Sequence, residues 1–260
     1  MITTRSIRDF KGRKKICCLS AYDALFSKIL AEAGLDIILV GDSLGNVVLG
    51  YPNTLPVTME DMLRHVQAVH RGAPQTFVVA DMPFMSFQDK EKEALGNAAR
   101  FIKEAGANAV KVEGANHLAT INKIIQAGIP VMGHLGFTPQ SIHQIGGPYI
   151  QGKDKLAEEK LIKDAKALEK IGVFAIVLEL VPEVLAQKIT QAIAIPTIGI
   201  GAGRYVDGQI LVLPDLLGLT EKTPRFVKQY AGLRQETLKA VKNYIKEVEN
   251  SIYPSKDFSY

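Results

Sequence analysis

The feature that most constrains the fold of this chain is a repeated junction, in which a helical stretch ends in a small residue and glycine and a short apolar run follows. Glycine tolerates the left-handed backbone conformation that often follows a helix end. The β-branched character of the runs favours buried strands, so each junction is typical of a helix that leads into a strand. Four copies are AEAGLDIILV (31–40), KEAGANAVKV (103–112), IQAGIPVMG (125–133) and EKIGVFAIVL (169–178).

Apolar runs of this kind predict eight strands, near residues 15–20, 36–42, 76–82, 109–113, 130–134, 174–179, 195–200 and 209–213. Amphipathic helical stretches lie between most of them, for example 59–71, 90–105 and 157–171. Alternation of continuous apolar strands with helices indicates a parallel sheet covered by helices. Eight such units in 260 residues favour a closed (β/α)₈ TIM barrel over an open, doubly wound sheet. We predict one barrel domain over residues 1–260, with a helical tail from about Thr220.

Charge and cysteine content exclude some classes of protein and indicate a compartment. The net charge of +4 is too small to indicate a nucleic-acid partner. No apolar run reaches the ~18 residues of a membrane helix, and no signal peptide is expected at the amino terminus. Cys17 and Cys18 are adjacent and should point to opposite faces of a strand, so we expect no disulfide and a cytoplasmic protein. The basic cluster at residues 11–15 is interpreted as a solvated turn.

Ionisable side chains stand at the carboxyl ends of five predicted strands, where barrel enzymes have their active sites. They are Asp42, Asp81, Lys111, Glu113, His134 and Glu179. Side-chain alternation predicts that Lys111 and Glu113 face the same way, and that each of the others shares a face with the apolar residue two positions earlier. One acid at a strand end could instead cap the following helix. Six ionisable residues on five strands predict a shared cavity.

Carboxylates that converge in a cavity repel one another unless a cation or a proton lies between them. Aspartate oxygens suit Mg²⁺, which takes few carboxylates together with water and substrate oxygens. No cluster of cysteine and histidine has the spacing of a structural zinc site. Lys111 could attract an anionic substrate group or form a Schiff base, but Glu113 nearby favours the ammonium form and argues against the Schiff base.

Two loops leave alternatives open. The segment Gly-Ile-Gly-Ala-Gly (199–203) follows the seventh predicted strand, where barrels often bind phosphate, although glycine there could also serve a tight turn. The long segment from Gly41 to Pro56 could close over the active face as a lid or simply pack against it.

Seven segments in order resemble the ketopantoate hydroxymethyltransferase family, over nearly the whole chain from about Thr3 to Pro254. They are GDSLGNVVLGYPNTLPVTMEDML (41–63), VADMPF (79–84), VKVEG (110–114), GHLGFTPQS (133–141), LELVP (178–182), IPTIGIGAG (195–203) and DGQILV (207–212). The sequence departs from the family pattern at Asn46, at Pro214 and around Gly147. None of these positions is one of the carboxylates considered above as metal ligands. The departures affect what can be expected of the lid and of folate contacts.

The resemblance implies a barrel of the phosphoenolpyruvate/pyruvate superfamily type that converts 3-methyl-2-oxobutanoate and 5,10-methylenetetrahydrofolate, its co-substrate, to 2-dehydropantoate and tetrahydrofolate. It implies one Mg²⁺ per subunit and a homodecamer of two stacked pentameric rings. The metal residues that it implies are Asp42, Asp81 and Glu113, and the substrate-binding residues are Asp42, Ser43, Asp81, Lys111 and His134. Glu179 corresponds to the proposed catalytic base.

Two rival functions remain at this point. A Mg²⁺-dependent lyase or mutase that acts on 2-oxo acids in the same superfamily would carry a catalytic loop of the Lys-x-Cys-Gly-His type, and this chain has no cysteine after Cys18. A non-catalytic metal-binding or metabolite-binding barrel would need no base. In that protein Glu179 would pack or cap the helix expected near Pro182.

Overall fold

The structure is a computed structural model that describes residues 2–260. Its contacts divide the chain into two compact units, one that ends at Val212 and a second that spans Leu213–Tyr260. The second unit begins earlier than Thr220, where the helical tail was expected to start. The organisation as one domain with a tail stays a prediction.

The first unit is a closed barrel of parallel strands that pair in chain order, with the last strand hydrogen-bonded to the first. The strands are β1 (Ile16–Ser20), β2 (Ile37–Val40), β3 (Phe77–Asp81), β4 (Ala109–Glu113), β5 (Val131–Gly136), β6 (Ala175–Glu179), β7 (Thr197–Ile200) and β8 (Gly208–Val212). Each of the eight predicted strands is present within a few residues of its expected position. The TIM-barrel prediction is therefore confirmed.

Helices lie between most of the strands, before β1 and after β8. They are α1 (Thr4–Asp9), α2 (Ala24–Glu32), α3 (Leu44–Val47), α4 (Met59–Gly72), α5 (Glu91–Lys103), α6 (Leu118–Gln126), α7 (Ile142–Ile145), α8 (Lys155–Ile171), α9 (Glu183–Ala192), α10 (Leu213–Leu216) and α11 (Leu233–Glu249). The three stretches predicted as helices correspond to α4, α5 and α8. None of the described helices has both the length and the apolar character needed to cross a membrane.

Inward-facing side chains fill the barrel with an apolar layer, and a polar layer lies above it. Val79, Met132 and Val177 belong to the buried apolar cluster. Two positions further along the same strands stand Asp81, His134 and Glu179, and alternation along a strand places them on the same inner face. The polar layer thus follows from strands that continue for two residues beyond their apolar part.

Strand β2 departs from the predicted alternation. Leu39 belongs to the buried cluster inside the barrel and Val40 does not, although both are buried. The strand ends at Val40, and Asp42 lies in the turn that follows. The expectation that Val40 and Asp42 share a strand face was wrong, because Asp42 reaches the cavity from a turn.

The basic cluster at residues 11–15 does more than form a solvated turn. Lys11 Nζ lies 2.8 Å from an oxygen of Asp207, and Lys14 forms an ion pair with the buried Asp36. Lys15 donates a hydrogen bond to the carbonyl of Val206. These contacts join the turn to the start of β8 and to the residue before β2, so they support the end of the barrel opposite the candidate site.

The second unit consists of α10, α11 and the segments around them. None of the residues of α11 is buried, and the helix carries large apolar side chains that are exposed. The aromatic rings of Tyr244 and Tyr253 make an edge contact with centroids 5.6 Å apart, which ties the end of α11 to the segment that follows it.

Candidate active site

A cavity of about 270 Å³ opens at the carboxyl ends of the strands. All seven residues singled out from the sequence line it: Asp42, Ser43, Asp81, Lys111, Glu113, His134 and Glu179. The side chains of Lys111, Glu113 and His134 are each less than 5% exposed. A chain that gathers this many ionisable groups out of water must pair them closely, because an unpaired buried charge is costly.

Lys111 is the positive centre of this set. Its Nζ donates to both carboxylate oxygens of Asp81, at 2.6 and 2.7 Å, and lies 3.9 Å from Oε1 of Glu113. Burial alone would lower the pKa of Lys111, but Asp81 and Glu113 outweigh that effect and raise it above its ordinary value. A Schiff base requires a neutral amine, so this environment argues against that alternative.

The pKa values of the Asp42 and Asp81 carboxyl groups are both raised by their surroundings. Burial and the neighbouring charges of Asp81 and Glu113 raise the pKa of Asp42 well above its ordinary value. Burial also raises the pKa of Asp81, although Lys111 opposes that shift. Carboxylates with raised pKa values bind either a proton or a cation, and both remove the same repulsion.

His134 stands between two carboxylates. Its Nδ1 lies 3.6 Å from Oε1 of Glu113 and its Nε2 lies 3.2 Å from Oε2 of Glu179, without hydrogen bonds of good geometry. Burial and the charge of Lys111 lower the pKa of His134, but Glu113 and Glu179 outweigh them and raise it to about 9. The protonated ring can therefore hold Glu179 in place and balance its negative charge.

The donor set suits a hard divalent cation. Oε1 of Glu113 is buried without a hydrogen-bond partner and faces the same cavity as Asp42 and Asp81. Residues 2–260 contain no group of three or more His, Cys, Asp or Glu side chains arranged to hold a metal ion. Magnesium does not require such a group, because it is commonly bound through one or two carboxylates and keeps water and substrate oxygens as its other ligands.

Hydroxyl groups form a second polar patch on the cavity wall. The hydroxyl of Tyr22 hydrogen-bonds to Oγ of Ser43 at 2.8 Å and to Oγ of Ser20 at 2.7 Å. Ser43 was expected from the sequence, whereas Ser20 and Tyr22 were missed. Their only signal was position, because they follow the apolar part of β1 as Asp81 follows that of β3.

Gln140 was also missed. It lies in the 3₁₀ turn Pro139–Ser141 after β5 and is 5% exposed. Its side-chain Nε2 donates to Oδ2 of Asp42, and its backbone N–H donates to Oε2 of Glu113, both at 2.9 Å. A neutral amide in a loop carries no periodicity or charge pattern by which a sequence could reveal this role.

The structure also bears on two alternatives left open by the sequence. Helix α9 begins after Pro182 with no side-chain cap, so Glu179 does not cap it. In the glycine-rich segment 199–203, a side-chain carbon on Gly203 would lie 2.3 Å from Cγ of Glu183, and Gly203 has a φ of +75°. Oε1 of Glu183 accepts a hydrogen bond from the backbone N–H of Arg204. The carboxylate of Glu183 thus lies against this loop, where it would repel a phosphate. This contact favours a tight turn over a phosphate site.

Comparison with known proteins assigns the chain to a family. The family model described as ketopantoate hydroxymethyltransferase matches residues 1–256. The chain belongs to the ketopantoate hydroxymethyltransferase family. Similar relatives named 3-methyl-2-oxobutanoate hydroxymethyltransferase include one from Pseudothermotoga lettingae, 55% identical over 97% of this chain and 96% of the relative. Another, from Kosmotoga olearia, is 56% identical over 96% of this chain and 94% of the relative.

Solved structures place this ketopantoate hydroxymethyltransferase family member in a wider fold group. A 2,3-dimethylmalate lyase, described as a PEP mutase/isocitrate lyase superfamily member, is similar with a TM-score of 0.64 at 16% identity, over 100% of this chain and 89% of that one. A phosphonopyruvate hydrolase complex with oxalate and Mg²⁺ has a TM-score of 0.63 at 13% identity, over 99% and 93%. At such identities the likeness shows the shared barrel fold alone.

Proposed function

We propose that the chain transfers a hydroxymethyl group from 5,10-methylenetetrahydrofolate to 3-methyl-2-oxobutanoate, giving 2-dehydropantoate in pantothenate biosynthesis. The observation that carries the proposal is that all seven residues matched to the family motifs line one cavity at the carboxyl ends of the strands. The relatives at more than 50% identity bear the name of this activity. Membership over nearly the full chain makes the same reaction the simplest account of the site.

Glu179 is the proposed base that removes the proton from C3 of the 2-oxo acid. Its side chain is 18% exposed and lines the cavity on β6, whereas Asp81 and Glu113 stand on β3 and β4. It can therefore reach a different part of the substrate from the other carboxylates. His134, 3.2 Å away, is the proposed group that fixes its orientation. General-base catalysis requires this kind of held carboxylate close to the proton that it removes.

Asp42, Asp81 and Glu113 are the proposed ligands of Mg²⁺, with one ion per subunit. When bound, the ion supplies a Lewis-acid charge that stabilises negative charge developing on substrate oxygens. Lys111 supplies a second positive charge within 3.9 Å of Glu113 and bonds to Asp81. We assign Lys111 and Ser43 to the anionic end of the 2-oxo acid, because a buried ammonium and a hydroxyl are suited to bind a carboxylate.

The carbon nucleophile that forms at C3 makes the new carbon–carbon bond to the one-carbon unit of the folate. The bonds from that carbon to the folate nitrogens break, the nitrogens take up protons, and one water molecule supplies the hydroxyl oxygen of the product. A cavity at the mouth of the barrel can limit the access of bulk water to the carbon nucleophile. Apolar side chains support this role, since Leu39, Val177 and Ile210 line the same space as the charged groups. For the segment from Gly41 to Pro56, a lid and a packed loop stay alternative predictions.

The rival reading as a lyase or mutase is not favoured. The solved structures named as lyases or mutases share the fold at 14–17% identity, whereas the relatives above 50% identity carry the transferase name. A non-catalytic barrel is also not favoured, because Glu179 lies in the cavity against His134 and caps no helix.

The finer assignments rest on the family and on the composition of the chain. We propose a homodecamer, a cytoplasmic location and the folate as co-substrate. Both cysteines are free thiols, in keeping with a reducing compartment. Neither nucleic acid nor a membrane is proposed as a partner.

The test of the proposal is turnover. Purified protein is supplied with 3-methyl-2-oxobutanoate, 5,10-methylenetetrahydrofolate and Mg²⁺, and 2-dehydropantoate is followed by mass spectrometry. We expect product from the wild type and a loss of Mg²⁺-dependent turnover in Asp42→Ala, which removes a proposed metal ligand while the fold remains. Absence of product from folded wild-type protein would overturn the proposed function.

A further inference from the structure

The side chain of Gln140 makes hydrogen bonds with three residues near the candidate metal site. Besides its bond to Asp42, the side-chain Nε2 donates to the carbonyl of Met82 at 2.8 Å. The side-chain Oε1 accepts a hydrogen bond from Nε2 of Gln88 at 2.9 Å. Both amide N–H groups and the amide oxygen are therefore used, and the side chain has no freedom to turn.

The direction of the amide follows from its partners. The carboxylate of Asp42 and the carbonyl of Met82 can only accept, so the NH₂ group of Gln140 must face them. The opposite orientation would set the amide oxygen against two acceptors. Gln88 supports the observed orientation from behind, because its own Oε1 accepts from the backbone N–H of Phe87 and its NH₂ points at Gln140.

Gln140 donates a hydrogen bond to one oxygen of each of two carboxylates, one in the turn after β2 and the other on β4. It holds Oδ2 of Asp42 through its side chain and Oε2 of Glu113 through its backbone. Oε1 of Glu113 stays without a hydrogen-bond partner. A neutral amide fixes a carboxylate without cancelling its charge.

We propose that Gln140, oriented by Gln88, is a positioning residue that presents the carboxylates of Asp42 and Glu113 to a divalent cation. The inference rests on the proposed function, since it assumes that these carboxylates are metal ligands. Groups that orient metal ligands commonly change metal affinity by 10–100-fold when they are replaced. Magnesium makes particular demands on its ligands, because it requires near-ideal octahedral geometry.

The test measures the binding of Mn²⁺ alone to metal-free protein, from the electron paramagnetic resonance signal of free Mn²⁺. Gln140→Met keeps the length of the side chain and its backbone bond to Glu113 but removes the bond to Asp42. We expect Mn²⁺ affinity to fall by about 10–100-fold in this variant. Gln88→Met touches neither carboxylate, and we expect a smaller loss than in Gln140→Met, because only the orientation of Gln140 is released.

The matched control is Gln67→Met. Gln67 donates one hydrogen bond to the carbonyl of Glu104 at 3.1 Å and does not line the cavity, so the Mn²⁺ affinity of this variant should equal that of the wild type. Activity gives a second readout: in Gln140→Met the Mg²⁺ concentration for half-maximal rate should rise more than kcat falls. Thermal unfolding checks that each variant is folded.

Each outcome counts for or against the proposal. Equal Mn²⁺ affinity in wild type and folded Gln140→Met would overturn it while leaving the proposed function intact. Wild-type protein that binds no Mn²⁺ would refute the metal assignment and this inference with it, and turnover would still test the reaction separately. If Gln140→Met does not fold, Gln88→Met decides, and an affinity equal to that of Gln67→Met would overturn the proposal.

Discussion

Lys111 and Asp81 form an ion pair inside the barrel, with side chains only 4% and 3% exposed. Lys111→Met removes the charge and leaves the carboxylate of Asp81 buried without its main partner. Breaking a buried pair in this way costs about 3–5 kcal/mol. Urea unfolding of the metal-free protein should therefore show a fall of that size in the free energy of unfolding.

A double variant separates the lost pair from lost packing. Asp81→Asn in the Lys111→Met background removes the unpaired charge, so the double variant should be more stable than Lys111→Met alone. Destabilisation in the double variant equal to the sum of the two single variants would mean that the two residues do not interact, and the assignment of the pair would fail.

Lys111 is also the proposed partner of the substrate carboxylate. Lys111→Met should weaken binding of 3-methyl-2-oxobutanoate more than binding of the folate, because the proposed partner of the lysine is the anionic end of the oxo acid. Losing a charged partner costs about 1.5–3 kcal/mol. Isothermal titration with each substrate measures both affinities, and an unchanged affinity for the oxo acid would remove Lys111 from the anion site.

At the scale of elements, helix α4 begins with a complete capping box. The side chain of Thr58 accepts from the backbone N–H of Asp61, and a side-chain oxygen of Asp61 accepts from the backbone N–H and the hydroxyl of Thr58. The hydrogen bond from the Thr58 side chain is the main cause that lowers the pKa of Asp61 below its ordinary value of 3.8. Asp61→Asn keeps an acceptor oxygen but loses the charge near the helix N-terminus, and we expect it to cost about 0.3–1 kcal/mol at neutral pH.

The pH dependence of that cost has a defined sign. A carboxyl whose pKa is lowered by folding adds stability above its unfolded pKa, and that stability is lost as the pH falls through the folded pKa. The difference between wild type and Asp61→Asn should therefore shrink as the pH falls below 3.8. Glu159→Gln, on the exposed side of α8, is the control and should cost little at either pH. A cost for Asp61→Asn that does not change with pH would contradict this account.

The strands could be predicted from the sequence because a buried parallel strand leaves a continuous apolar run after a glycine that ends a helix. The ionisable residues of the site could also be singled out, since charges beside such runs are not chosen for packing. Asp42 shows the limit of this reasoning, because β2 ends two residues before it and a turn sets its direction. Gln140 shows another limit, because its partners come from segments that are distant in the sequence.

Helix α11 carries a row of exposed apolar side chains. Leu238, Val241, Ile245 and Val248 recur at helical spacing and are each 43–48% exposed. Contiguous exposed apolar surface is typical of an interface between proteins. It supports the proposed homodecamer, in which copies of this chain would cover the helix.

Light scattering tests that assembly. We expect a mass that corresponds to ten chains of 28.4 kDa. Ile245→Glu should lower the mass, because it sets a charge in the apolar stripe, whereas Lys239→Glu on the other side of α11 is the matched control and should leave it unchanged. A stable monomer for the wild type would refute the decamer.

Glu179 is the group proposed to remove the C3 proton of the 2-oxo acid. Glu179→Gln keeps the size of the side chain and its contact with His134 but removes its basicity. The decisive measurement is the exchange of the C3 proton of 3-methyl-2-oxobutanoate with deuterated water, followed by nuclear magnetic resonance with Mg²⁺ present, with and without folate. Binding of the oxo acid, measured in parallel, should stay close to that of the wild type.

Loss of a general base lowers a rate by about 10²–10⁴-fold, and we expect the exchange rate of Glu179→Gln to fall within that range. Glu183→Gln is the control, because Glu183 lies at the start of α9 and contacts Arg204 outside the cavity. It should exchange at the wild-type rate. If Glu179→Gln exchanges as fast as the wild type, then Glu179 is not the base.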